Sequence, residues 1–94
     1  MTDLNIIHKT TKTRDEIWQW VMEKEQIFRT KAQKEGFLVK PMRDENKIYA
    51  EGKGSHGEAL IDDGMITVNI KIPIMFRFFK SQIESAIKGF LKEV

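Results

Sequence analysis

Few residues in this chain are equipped for chemistry. Imidazole is the side chain most used as a metal ligand or proton carrier, and the chain has two, His8 and His56; a metal site would need them joined by carboxylates in a convergent set. Their spacing offers no such set, so His8 reads as a strand-end residue at the rim of a core and His56 as a solvated turn residue. Ser55 and His56 are neighbours in a turn, where side chains diverge, and a nucleophile–base pair there lacks a third, orienting group. Asp62 and Asp63 read as turn formers rather than paired acid–base carboxylates. The stretch Gly52-Lys53-Gly54-Ser55-His56-Gly57 spells G-x-G-x-x-G, the pattern of a dinucleotide loop. That chemistry needs a helix N-terminus to receive the pyrophosphate, whereas a strand comes next here, so the pattern reads as a glycine-rich hairpin turn. Cysteine is absent, which excludes disulfides, thiolate nucleophiles and cysteine-bound zinc. No catalytic residue, cofactor site or metal ligand set is assigned, and a non-enzymatic role is expected.

Composition narrows the remaining classes. The 94 residues suffice for one domain, 1–94, with one core. Sixteen Lys and Arg against fourteen Asp and Glu give a net charge of +2, too small a surplus to imply a polyanionic partner. The lysines are interspersed with acids and Tyr49 is the one aromatic expected on the open sheet face, so nucleic acid is not a partner. No stretch approaches the roughly 20 apolar residues of a transmembrane segment, and the N-terminus lacks the basic start and apolar run of a secretory signal. The chain reads as soluble and cytoplasmic.

The elements emerge from periodicity. Leu4 to Thr10 is a β-branched run with Leu4, Ile6 and His8 on one face. Thr13-Arg14-Asp15-Glu16 is a capping box, and Gly36 is a stop signal, so a helix is predicted from Arg14 to about Glu35. At about 100° per residue, Ile17, Trp20, Val21, Ile27, Phe28 and Ala32 share its apolar face, with the Lys24 stem at the edge. Trp18 and Met22 fall off that face and are expected at the surface. The period then changes to two for Phe37 to Met42, Lys47 to Glu51, Glu58 to Ile61 and Met65 to Ile72, with a tight turn at Asp63-Gly64. One sheet face is covered by Ile48, Ala50, Ala59, Ile61, Ile66, Val68, Ile70 and Ile72; Tyr49, Glu58 and Leu60 lie on the open one.

Pro73 closes the last strand, and a second helix is predicted from Ile74 to Val94 with the stripe Phe76, Phe79, Ile83, Ala86, Ile87, Phe90 and Val94. Ile74, Met75 and Phe78 fall outside this stripe. Together with Trp18, Met22 and Arg77 they are the candidate binding surface, an apolar patch with a basic rim if they are contiguous; the alternative is that Ile74 and Phe78 cap the open end of the core. The architecture expected is a two-layer α+β domain of order β-α-β-β-β-α, two long helices lying on one face of a four-stranded, mostly antiparallel sheet.

The order of elements, the stretch Gly52 to Gly64, the alternating strand Met65-Ile-Thr-Val-Asn-Ile-Lys-Ile and the run Phe76-Arg-Phe-Phe-Lys-Ser-Gln-Ile-Glu-Ser-Ala-Ile resemble the small polyhydroxyalkanoic acid system family. The resemblance is clearest in the C-terminal half. The N-terminal half matches in layout only, and Trp18 and Trp20 depart from the family pattern. The resemblance implies a bacterial accessory protein of polyhydroxyalkanoate metabolism, cytoplasmic or granule-associated, whose partner is a granule surface or a hydrophobic ligand. It carries no catalytic residues. A homodimer, formed through the open sheet face or the Trp18 spot, is the alternative role.

Overall fold

The computed structural model describes residues 2–52 and 54–94. Lys53, within the glycine motif, lies outside the described residues. The chain runs β1 (Thr2–Lys9), α1 (Arg14–Lys34), β2 (Leu38–Met42), β3 (Lys47–Gly52), β4 (Ser55–Asp62), β5 (Met65–Ile72), a 3₁₀ turn (Ile74–Phe79) and α2 (Lys80–Leu91). The strands form one antiparallel sheet of order β1-β5-β4-β3-β2. Five strands are present where four were expected: each of the four alternating segments after α1 enters the sheet, and β1 pairs along β5 as a fifth.

Because β1 and β2 occupy opposite edges, α1 must carry the chain across the whole sheet. Four spacings of about 4.8 Å make roughly 19 Å, within the ~31 Å that 21 helical residues reach. Both helix ends are fastened by short-range chemistry. The Thr13 hydroxyl accepts from the Glu16 N–H at 3.3 Å, and Glu16 accepts from the Thr13 N–H at 3.0 Å, completing the capping box. Asp63 of the β4–β5 turn accepts the Arg14 N–H at 2.8 Å, which ties the helix start to the sheet. At the other end Gly36, with φ +84°, lets Phe37 N–H reach Ala32 O at 2.8 Å and Gly36 N–H reach Gln33 O at 3.0 Å, a Schellman stop.

The wheel is corrected in rotation. Ile17, Trp18 and Val21 are the buried residues of α1, so Trp18 belongs to the core, while Ile27 is 47% exposed. The cause is that α1 has two neighbours. Its underside meets the sheet through Ile17, Trp18 and Val21, and its flank meets α2 through Trp20 and Phe28, whose rings stand 5.3 Å apart edge to face, with Phe90 4.8 Å beyond Phe28. A one-face reading averages these two directions. Trp18 also satisfies its indole N–H on Asn46 Oδ1 at 3.2 Å, so its one polar atom is paired.

Both helices lie on the face that carries Leu4, Ile6, Ile61, Ile66, Val68 and Ile72, and Leu91 of α2 joins the same cluster. The second helix differs from its expected form. Ile74–Phe79 winds as 3₁₀ and the α-helix begins only at Lys80. Ser, Thr, Asp and Asn are absent between Ile72 and Lys80, so no side chain is available to cap an α-helix start there. Of the predicted stripe, Ile83 and Ile87 pack on the core as expected, but Ala86 is exposed and Phe79, in the 3₁₀ turn, is 42% exposed; Leu91, outside that stripe, is buried.

Two outcomes test this packing. Trp18→Ala should lower unfolding free energy by about 3–5 kcal/mol in urea melts, a buried-indole cavity, whereas Met22→Ala should cost less than about 1 kcal/mol. The exposed Glu16 carboxyl is held below its ordinary value, first by the Thr13 N–H, then by the Thr13 hydroxyl and the Lys12 charge. A depressed folded value stabilises the native state above the unfolded pKa and loses that contribution as pH falls through the folded one. Glu16→Gln should therefore flatten the acid-side decline of Tm between about pH 5 and 3.

Candidate interaction surface

Pro73, at φ −57°, removes a donor at the end of β5 and turns the chain out of the sheet. The next segment, Ile74-Met75-Phe76-Arg77-Phe78-Phe79, has three residues per 3₁₀ turn, so residues three apart stand over one another. Three sides result. Phe76 and Phe79 share the inner side, their ring centroids 6.3 Å apart, and Phe76 packs on the core. Met75 and Phe78 share a second side, and they are 73% and 77% exposed. Ile74 and Arg77 begin a third, which Lys80 continues; Ile74 is 62% exposed. The Arg77 guanidinium lies 5.7 Å from the Phe78 ring centroid, a cation held over an aromatic face.

Of the six residues named from the sequence, Ile74, Met75, Arg77 and Phe78 are therefore brought together. The other two are not. Trp18 is 1% exposed and bound to Asn46, so the surface patch does not include it. Met22 is exposed, but it lies in an open groove with Asp15, Glu16, Gln19, Glu23 and Arg43, beside the turn that leads into β3. The 3₁₀ turn lies at the other end of β3, where Pro73 and Phe76 face Gly54 of the β3–β4 hairpin. Lys80 is not among the residues named from the sequence; its i, i+3 spacing from Arg77 is the signal that finds it, in a 3₁₀ turn or an α-helix alike.

The residues suited to chemistry are dispersed. Ser55 pairs with Gly52 and His56 with Glu51, so the neighbouring Ser55 and His56 point to opposite faces of β4. His56 is a strand residue on the open face, not a turn residue; the hairpin is shorter than the glycine spacing suggested. His8 sits on the covered face opposite Ile66, with Nε2 buried and unpaired among the described residues. Asp63 accepts the Arg14 N–H, and Asp62 accepts the Asp63 N–H at 2.7 Å, so both serve the turn. Among the described residues no group of three or more His, Asp or Glu is placed to hold a metal ion. The glycine motif is a packing device: a Cβ on Gly52 would stand 2.4 Å from Gly36 O, and one on Gly57 2.6 Å from Asn69 O.

The open sheet face mixes polar groups of both signs with apolar ones. Cross-strand rows read Asn5, Asn69, Glu58, Tyr49, Lys40 and Asp3, Lys71, His56, Glu51, Leu38; a third row reads Ile7, Thr67, Leu60, Lys47, Met42, and Ile7 and Leu38 are exposed. Lys47 and Glu58 form an ion pair at 3.6 Å, and the Asn5 side chain donates to that of Asn69. Among the described residues no helix is long and apolar enough to cross a membrane.

A family model described as "putative polyhydroxyalkanoic acid system protein" matches residues 7–94. The chain belongs to the polyhydroxyalkanoic acid system family. The match runs through the last three residues of β1, all of α1 and β2, so family membership covers most of the N-terminal half as well as the C-terminal one. The exposed 3₁₀ turn falls inside the matched region. No significant match was found among curated proteins or solved structures.

Since Met75 and Phe78 touch the core so little, the Met75→Ser, Phe78→Ser double variant should keep its unfolding free energy within about 0.5 kcal/mol of the parent. Chemical melts followed by tryptophan fluorescence, which reports on buried Trp18, provide the check.

Proposed function

We propose that this chain is a non-enzymatic accessory protein of polyhydroxyalkanoate metabolism that meets the apolar surface of the granule, in the cytoplasm, through the 3₁₀ turn Ile74–Phe79. Family membership supplies the polymer system. One observation supports the mode of contact: Ile74, Met75 and Phe78, three large apolar side chains within five residues, are each more exposed than buried. Isolated exposed apolar residues are ordinary, whereas a contiguous patch stands out on a protein surface. The turn comes directly after a proline and is braced on the core through Phe76, so the patch is presented on a fixed base.

Burying each such side chain in an apolar phase contributes roughly 1.5–3 kcal/mol. Co-sedimentation of the purified protein with native granules should therefore fall at least about tenfold in the Met75→Ser, Phe78→Ser variant. Equal sedimentation of parent and variant overturns the reading. So does a parent that self-associates in sedimentation equilibrium and loses that association with the same two substitutions, since the patch would then be a dimer contact.

A further inference from the structure

The charge around the exposed turn carries information that its hydrophobicity does not. Between Gly64 and Ile83 the sequence holds no acidic residue and three cations, Lys71, Arg77 and Lys80, although acids and bases alternate closely almost everywhere else. Lys71 stands opposite Asp3 in the β1–β5 ladder, and Glu84, one turn beyond Lys80, is ion-paired with Lys88 at 3.1 Å, which leaves Arg77 and Lys80 as the unbalanced pair. Arg77 lies on the side of the 3₁₀ turn next to Met75 and Phe78, and Lys80, the first residue of α2, follows three residues after Arg77 on that side. A polyester chain is uncharged along its length, so a bare polymer surface would make no use of these cations. An apolar layer bounded by phosphates would use both halves of the arrangement.

We propose that the 3₁₀ turn recognises an anionic phospholipid layer, with Met75 and Phe78 entering the acyl region while Arg77 and Lys80 meet the phosphates. The inference deepens the granule reading and takes its setting from it. The geometry fits the depth of such an interface. Arg77 already lies over the Phe78 ring at 5.7 Å, so the guanidinium is positioned where the ring leaves the apolar region, and its planar fork suits phosphate oxygens. Ile74, on the same side as the two cations, fills the boundary between the layers. A single six-residue anchor of this kind gives reversible attachment rather than permanent insertion.

The test uses the full chain and vesicles of stated composition, phosphatidylcholine alone and phosphatidylcholine with an equal part of phosphatidylglycerol, alongside lipid-free polyester particles and native granules. Co-sedimentation with the anionic vesicles should exceed that with the neutral ones at least about tenfold and weaken with added salt. Arg77→Gln and Lys80→Gln should each lower anionic binding roughly fivefold. Met75→Ser, Phe78→Ser should abolish it while leaving the unfolding midpoint unchanged. Equal binding to both vesicle types overturns the proposal, as does full anionic preference in the Arg77→Gln, Lys80→Gln double variant. Binding to native granules and bare polymer without binding to anionic vesicles overturns the lipid inference and leaves the granule reading standing. Binding to anionic vesicles without binding to granules supports lipid recognition and removes the granule reading.

Discussion

A buried indole fixes where α1 lies on the sheet. An aromatic ring of this size can enter the core only if its N–H finds an acceptor, and Asn46 provides one from the β2–β3 turn. Asn46 takes φ +55°, a conformation that asparagine tolerates better than most residues, and its backbone carbonyl accepts the Ile61 N–H at 2.9 Å. One residue thus couples α1, the β2–β3 turn and β4. With Asp63 holding the helix start and Gly52 allowing the Gly36-Phe37 corner to sit against β3, α1 is pinned at its beginning, along its underside and at its end.

The rest of the covered face is left to α2. The chain leaves β5 at the end of the sheet that bears the β3–β4 hairpin and returns along β1 until the Thr10 hydroxyl donates to the Val94 carbonyl at 3.0 Å. Phe90 wedges against Phe28 and lies under Lys31, whose Nζ is 5.0 Å from the ring centroid. Twelve helical residues complete that path, and the six before them are needed chiefly for the anchor at Phe76. The exposed apolar turn is thus a consequence of topology: the sheet is already covered, and the connecting segment has no more core to enter.

This arrangement separates stability from surface recognition. The groups that carry the fold, Trp18, Ile17, Ile72 and Val21, are fully buried and lie on elements other than the 3₁₀ turn. The groups on the exposed sides of the turn contribute little to that core, so their apolar character is not required by folding. Membership in the polyhydroxyalkanoic acid system family gives such a surface a setting. The proposed contact with a lipid-bounded apolar phase accounts for the apolar side and the unbalanced cations together.

The sequence by itself determined whatever depends on neighbours along the chain. The Thr13 to Glu16 capping box, the Gly36 stop, the Asp63-Gly64 turn and the alternation of β5 are local hydrogen-bonding and steric rules, and all stand in the structure. Spacing placed Ile74, Met75 and Phe78 off the stripe shared with Ile83 and Ile87 but left open whether they cap the core; the same spacing rule misplaces Trp18, so their exposure was decided by packing. Tertiary structure alone decided the burial of Trp18, because a wheel cannot know that α1 touches a sheet below and a helix beside it. It also decided that His56 extends β4 on the open face, and that Ile74–Phe79 winds as 3₁₀. The last choice stacks Met75 directly over Phe78 and Arg77 over Lys80, where a period of 3.6 residues would set each pair about 60° apart on one face.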